Sequence, residues 1–454
     1  MADIKIVVLW TDSLLFLLLG LALFSVFHIL KNPYLRWAWR QVFRSKISIS
    51  AFVILSFYIA VGFLDSLHFR TALPVSTQSS ETHYSVEVSS VLDLMFASVR
   101  ENQEKTYSAP FAATQLSKES IEQPDGTFKR EYPRLKYGGS HLKADLSDKT
   151  SDILYRSFIA ILWAVFIWGI IVMLVRTKIN KNSDIPWNVA LITTGILILC
   201  ISWFIQMSNG YHVFGTDKVG DDVLYQVVKS IRTGLIIGTV TTLIMLPLAI
   251  MLGIMAGYFR GWVDDIIQYL YTTLNSIPSI LLIAAAILTL NVYIDGHADL
   301  FQTEAERADM RLLFLCIILG ITSWTGLCRL LRAETLKLRE LGYVQAAQVF
   351  GVSKLQIIKR HLLPNLMHIV LISIVIDFSI LVLAEAVLSY LGIGVDPSTS
   401  SWGNMINAAR LELAREPVVW WSLAAAFIFM FVLVLAANLF SDAVRKAFDP
   451  RGNS

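Results

Sequence analysis

Apolar residues in this chain are gathered into long blocks separated by polar stretches, rather than spaced at the three-to-four-residue interval of soluble amphipathic helices. A helix needs about 20 mostly apolar residues to cross a bilayer. By that measure the blocks predict nine membrane-crossing helices, at 7–30, 47–64, 153–175, 187–206, 233–257, 266–290, 312–330, 366–392 and 418–440. The first block ends in Phe27, His28, Ile29 and Leu30 with no small-residue cleavage site behind it, so it reads as an uncleaved anchor. Pro247 and Pro278 are expected to kink the fifth and sixth spans.

The short loops orient these spans, because Lys and Arg accumulate on the cytoplasmic side. Basic residues follow span one (Lys31, Arg36, Arg40, Arg44, Lys46), span three (Arg176, Lys178, Lys181) and span nine (Arg445, Lys446, Arg451). The loop from Arg329 to Arg360 carries seven more, against Glu334 and Glu340. Alternation through nine spans puts all four groups on one side, with the N-terminus outside and the C-terminus in the cytoplasm.

Residues 65–152 break the pattern. This outward stretch holds ten Lys/Arg and thirteen Asp/Glu, with Pro74, Pro110, Pro124 and Pro133, and is too polar for a membrane and too long for a plain connector. It reads as a small extracytoplasmic domain or a partly ordered loop, and composition does not choose between them. The chain then divides into two N-terminal spans (1–64), this insertion (65–152), two further spans (153–206), an outward-facing segment (207–228), a core (229–442) containing a cytoplasmic loop (331–365), and a tail (443–454).

Composition agrees with the blocks. Of the 454 residues, 55% are hydrophobic and 16% charged, against about 25% charged in soluble domains. The class is an all-α polytopic membrane protein, not a soluble enzyme or a disordered chain. A net charge of +3 gives no argument for nucleic acid. Cys200, Cys316 and Cys328 lie in apolar segments at unrelated spacings, which fits neither a disulfide framework nor a zinc site.

Catalytic motifs are absent from the sequence: no Gly-x-x-x-x-Gly-Lys-Ser/Thr phosphate loop, no His-Glu-x-x-His and no Gly-x-Ser-x-Gly. His361 and His368 lie seven apart without a third ligand nearby, so they read as isolated polar residues and no metal site is expected. Uphill movement of a solute by this chain needs energy from a partner or an ion gradient.

The strongest local signal lies in the loop after span seven. Gln345 to Phe350 is helix-forming, and Ala346 and Ala347 leave a surface of little bulk that lets a partner approach closely. Gly351 stands where that helix should end, since glycine takes the left-handed cap without steric cost. Ser353 is placed to cap the next helix, and Pro364 to end that one before span eight.

This segment, from Leu338 through Tyr343 to Asn365, resembles the EAA loop of type I ATP-binding-cassette importer permeases: Glu-Ala-Ala, three residues, Gly, nine residues, an apolar residue, one more, then Leu-Pro. Ala346, Ala347, Gly351, Leu363 and Pro364 stand at the required spacing, while Gln345 replaces the leading Glu and His361 the apolar residue. The Arg-His-x-Leu-Pro-Asn form is similar to the dipeptide and oligopeptide branch. The resemblance covers about residues 212–454. It includes an outward-facing Phe214-Gly215-Thr216-Asp217-x-x-Gly220-Asp221-Asp222-Val223 segment, Ala256–Gly261, Ser276–Leu282, Glu385–Gly394 and the tail Ala447–Arg451. It implies a five-span type I permease core resembling the C-type subunit of a peptide permease. It also implies a second homologous permease forming a heterodimer, two ATPase subunits carrying ATP and Mg, an extracytoplasmic solute-binding protein, and an inner membrane location in surrounding lipid. No cofactor is expected on this chain. Spans one, three and four and the insertion lie outside what the resemblance explains.

Ionisable groups inside spans are costly and normally face protein or water. Asp377 and Glu385 in span eight, with Pro278, are candidates for a translocation path, and Glu385 equally for a helix-packing role; Arg156 lies in span three. Other readings stay open at this point: a nickel or metal-chelate importer within the same family, an ion-coupled secondary transporter using Asp377 or Glu385, and a membrane sensor reading its ligand through 65–152.

Overall fold

The structure is a computed structural model that describes residues 4–72, 84–122, 128–143, 146–178, 184–301 and 303–448. Pro74, Pro124, Lys181 and the Asp449–Arg451 part of the tail lie outside the described residues. Among the described residues, nine helices are long and apolar enough to cross a membrane. The chain forms two compact units, Met1–Val7 with Phe43–Thr233 and Thr399–Ala436, and Val8–Val42 with Gly234–Ser398 and Ala437–Ser454.

The first unit begins with strand β1 (Ile4–Val7). Helix α3 (Lys46–Asp65) follows its Ser45 cap, whose hydroxyl accepts from the Ser48 N–H. The 65–152 insertion is ordered in its described parts. Strands β2 (His68–Thr71) and β3 (Ser89–Ser90) complete a three-stranded antiparallel sheet in the order β1-β2-β3, with Ile4 opposite Thr71 and Phe69 opposite Ser89. Helices α4 (Val91–Met95) and α5 (Ala97–Glu101) follow, then the hairpin β4 (Glu119–Glu122) and β5 (Phe128–Glu131).

Helices α6 (Lys149–Lys178) and α7 (Trp187–Ser208) pack as a pair. Polar side chains join them where water cannot: Trp168 Nε1 donates to the Leu191 carbonyl at 2.8 Å, Ser202 Oγ to that of Ala160 at 2.9 Å, and Trp203 Nε1 to Ser157 Oγ at 3.1 Å. Thr193 Oγ1 donates to Ser50 Oγ at 3.1 Å and ties α7 to α3. Arg156 is satisfied locally by Asp152 at 2.8 Å and by the Tyr211 ring. The outer face of α6 stays exposed at Leu154, Phe158, Trp163, Phe166 and Met173. That is the surface expected against hydrocarbon.

Helix α8 (Val223–Phe259) and helix α17 (Trp421–Phe448) each run through both units. Pro247 lies inside α8 without ending it.

The second unit opens with α1 (Trp10–Lys31) and α2 (Pro33–Val42). It continues with α9 (Trp262–Ser276), α10 (Ser279–Gly296), α11 (Glu304–Ser323), α12 (Thr325–Arg339), α13 (Gly342–Val349), α14 (Lys354–Ile357) and α15 (Leu363–Tyr390). The first unit receives α16 (Trp402–Glu412). Span one docks on α11: the buried Thr11 N–H donates to Asp309 at 3.1 Å, and Leu15 joins a core with Ile236, Leu312, Leu315 and Leu388.

Two expectations are corrected. The block at 266–290 is not one kinked span: α9 ends at Ser276 and α10 starts at Ser279, with only α10 qualifying as a membrane crossing. Steric clash with a proline ring drives the preceding residue out of the helical region, and Ile277 is extended at φ −90°, ψ 131°. Pro364 likewise does not end a helix. A five-residue π turn at Ile358–Leu362 widens the hydrogen-bond pattern ahead of it, and Pro364 then sits in the first turn of α15, where its missing N–H costs little.

Candidate functional site: the coupling loop and the outward turn

The sequence from Leu338 to Asn365 folds into a helix presented on a scaffold. Only Glu340 and Leu341 separate α12 from α13. Gly351 takes φ +73°, its N–H donates to the Gln348 carbonyl, and the Val352 N–H donates to the Ala347 carbonyl, both at 3.1 Å. Those two bonds are the glycine C-terminal cap that satisfies the last carbonyls of α13. Ser353 occupies the N-cap position of α14 with an extended backbone, but its side chain makes no capping bond. That correction leaves Ser353 as a turn residue.

The two faces of α13 differ. Val344 is fully buried with Leu331, Ile357, Leu362 and Leu366, and Ala347 and Leu363 pack at the edge of that cluster. On the other face Tyr343, Gln345 and Ala346 are exposed, and Val349 and Phe350 are each 85% exposed. Val349 and Phe350 thus form an exposed apolar patch at the end of a capped helix.

Polar contacts fix the geometry. Asn365 Nδ2 donates to the Tyr343 hydroxyl at 3.0 Å, and the Tyr343 and His361 rings lie 5.9 Å apart. Gln345 Nε2 donates to Glu340 at 3.4 Å, and Glu340 is itself paired with Arg260 at 2.6 Å. A Glu at 345 would face the Glu340 carboxylate, so the uncharged Gln suits this site. Arg332 grips both oxygens of Asp264 at 2.6 Å, and Arg339 Nη1 donates to the Tyr258 carbonyl at 2.8 Å.

Sequence reasoning missed a close contact between α8 and α12 in this scaffold. Gly253 and Gly257 lie one helical turn apart on α8 and allow α12 to approach so closely that a Cβ on Gly257 would stand 2.6 Å from Thr335 Cβ. The signal was present as Gly-x-x-x-Gly in an apolar helix, the pattern of close helix packing in membranes.

The 212–223 segment folds as a tight turn. Gly215 and Gly220 have φ of +69° and +86°, and the Asp217 carboxylate accepts from the N–H groups of Val219 at 3.0 Å and Asp221 at 2.9 Å. Thr216 is fully buried. Asp221 accepts from Gln103 Nε2 at 3.0 Å; burial first and the neighbouring Asp217 second push its carboxyl above the ordinary range.

The path candidates fall on two elements. Pro278 stands at the break between α9 and α10. Glu385 is buried on α15 and accepts from Ser389 Oγ at 2.7 Å. Asp377, two turns earlier and half-buried, has no hydrogen bond or ion pair among the described residues. Among the described residues no group of three or more His, Cys, Asp or Glu is placed to hold a metal.

Comparison with known proteins follows the same stretch of chain. The family of binding-protein-dependent transport system inner membrane components matches residues 249–453. A dipeptide transport system permease of Lactococcus lactis is 32% identical over 242 residues, 53% of this chain and 64% of its own length. An oligopeptide transport system permease of Mycobacterium tuberculosis is 31% identical over 250 residues, 55% of this chain and 79% of its own. A glutathione transport system permease of Pectobacterium atrosepticum is 30% identical, covering 53% and 73%. A methionine ABC transporter structure aligns at TM-score 0.37 and 16% identity over 49% of this chain and 97% of its own, and adds nothing to the assignment. With its apolar helices and this family match, the protein is a multi-pass inner-membrane permease, and the chain belongs to the family of binding-protein-dependent transport system inner membrane components.

Proposed function

We propose that this chain is the translocation subunit of an ATP-driven peptide importer, with hydrolysis on separate subunits. The carrying observation is α13: Tyr343, Gln345 and Ala346 on its exposed face, Val349 and Phe350 projecting, and Gly351 capping its end at the spacing of the EAA pattern. Such a surface fits a groove on one of two ATPases that carry ATP and Mg. Closure of those ATPases on ATP would move α13 and, through Glu340 and Leu341, α12. The spans would then switch between inward-facing and outward-facing states as rigid bodies.

The remaining partners are a second homologous permease, in a heterodimer, and an extracytoplasmic solute-binding protein. Peptide as substrate is supported by the dipeptide, oligopeptide and glutathione systems named among the relatives. The basic residues Arg36, Arg40, Arg44, Arg332, Lys354 and Arg445 favour a cytoplasmic C-terminus and an outside N-terminus. Pro278, Asp377 and Glu385 are assigned to the path or its immediate support, and the Gly215–Asp221 turn to the extracytoplasmic side.

The test is Ala346→Glu in the complex purified from its native membrane. A charge buried without a partner in the contact should abolish uptake and coupled ATP hydrolysis while the chain still inserts. Normal transport by that variant refutes docking through α13. Screening peptides and nickel for stimulation of hydrolysis then identifies the substrate, and nickel alone stimulating would replace peptide in this reading.

A further inference from the structure

The insertion and residues 210–222, which contain the Gly215–Asp221 turn, share one set of backbone bonds. The Glu104 N–H donates to the Gly220 carbonyl at 3.0 Å, the Phe111 N–H to that of His212 at 3.0 Å, and the Gly139 N–H to that of Gly210 at 2.8 Å. The Thr216 N–H donates to the Ser108 carbonyl at 3.1 Å, and the Ser108 N–H to Thr216 Oγ1 at 2.7 Å. A Cβ on Gly220 would overlap the Glu104 carbonyl, so only glycine permits this approach. Trp421 Nε1 closes the far side by donating to the Thr216 carbonyl at 3.0 Å.

A buried charge cluster lies beneath these bonds. The Glu104 carboxylate accepts from three consecutive backbone N–H groups, of Lys136 at 2.9 Å, Tyr137 at 2.8 Å and Gly138 at 3.0 Å. Its Oε1 stands 3.5 Å from His212 Nε2, and the other ring nitrogen, Nδ1, lies 2.7 Å from the Asp222 carboxylate. All three side chains are at least 95% buried. Burial disfavours the charge on Glu104, yet the His212 contact and the three N–H groups hold its carboxyl at about 2. Burial likewise opposes the His212 charge, and the two carboxylates outweigh it, raising the imidazole to about 9.

We propose that the insertion is a built-in clamp that holds the 212–222 turn in one conformation without any docked protein, with Glu104 as the positioning residue acting through His212. The turn offered to the outside is then rigid from the start, and insertion and turn present a single surface. A free loop would instead need a partner to order it.

Hydrogen exchange on the intact protein in lipid nanodiscs, with no binding protein added, tests this. Glu104→Ala should speed exchange at least tenfold at Lys136–Gly138 and, in the same variant, at Thr216, Gly220 and Val223. Faster exchange confined to Lys136–Gly138 overturns the clamp, because insertion and turn would then be independent. Glu104→Ala added to His212→Asn should change exchange at Thr216, Gly220 and Val223 little beyond His212→Asn alone, and a full additional effect there overturns the coupling through His212. If Glu104→Ala does not accumulate, Gln103→Ala at the exposed edge decides: its loss should speed Val219 and Asp221 several-fold, and unchanged exchange there overturns the proposal.

Discussion

Gly257→Ala replaces a hydrogen with a methyl group, and the structure gives that methyl carbon no room. An ideal Cβ would stand 2.6 Å from Thr335 Cβ, 2.8 Å from the Arg332 carbonyl oxygen and 2.9 Å from Thr335 Cγ2. Non-bonded carbons prefer about 3.5–4.0 Å, so α12 must withdraw from α8 by roughly 1 Å. Thr335 is fully buried and Arg332 is anchored at 2.6 Å to both oxygens of Asp264, so neither side chain can rotate away without loss. Overpacking of this kind costs about 1–3 kcal/mol, which corresponds to about 5- to 150-fold in a coupled equilibrium. Only Glu340 and Leu341 separate α12 from α13, so the displacement reaches the exposed face of α13. The assay is uptake per ATP hydrolysed by the assembled complex in proteoliposomes. Gly326→Ala, on α12 itself, is the control, because nothing lies within 4 Å of a Cβ there and its effect should stay within about 0.5 kcal/mol. A Gly257→Ala complex with an unaltered coupling ratio refutes the reasoning.

Further outcomes follow from other residues. Gly351→Ala meets no atom within 4 Å, so its effect is conformational: forcing alanine to φ near +73° costs about 1–2 kcal/mol and should loosen ATPase association, measured by co-purification. Asp264→Asn weakens the fork to Arg332, a charge-assisted contact that is partly exposed and worth about 1–2 kcal/mol, and should lower the unfolding temperature of the purified complex. Asp377→Asn should change substrate preference in uptake while assembly is normal; identical uptake across substrates removes Asp377 from the path. The clamp has a pH window. His212, raised from 6.5 to about 9 against Glu104 and Asp222, contributes fully below pH 6.5 and loses that contribution as pH rises through 9. Glu104, lowered from 4.5 to about 2, contributes fully above pH 4.5 and loses it as pH falls toward 2. Exchange protection at 216–223, corrected for intrinsic rates, should therefore be flat from 4.5 to 6.5 and decline on the alkaline side, and His212→Asn should remove that decline.

The nine membrane blocks were legible in the sequence because a helix in hydrocarbon satisfies its own backbone and needs only length and apolarity to be specified. The end of α13 was legible for an equally local reason, since Gly351 carries its conformational freedom with it. Chain order and apolar content could not separate α9 from α10. Pro278 drives Ile277 out of the helix, whereas Pro247, in an equally apolar stretch, stays within α8. The insertion showed the same limit on a larger scale. Its composition marked it as polar but left domain and loop undecided, because the partners of Glu104 are Lys136–Gly138 and His212, distant in sequence, and nothing local to them tells that they meet.

Local properties of the sequence thus determined which stretches are apolar enough to cross a membrane, where α13 stops, and which family the core resembles. Only tertiary structure decided that α12 could touch α8 at Gly257, that Gln345 faces Glu340, and that a buried histidine joins residues 104–138 to the 212–222 turn. Each of these depends on two segments meeting in space. Close approach and charge pairing are properties of the pair, and neither partner's sequence carries them alone.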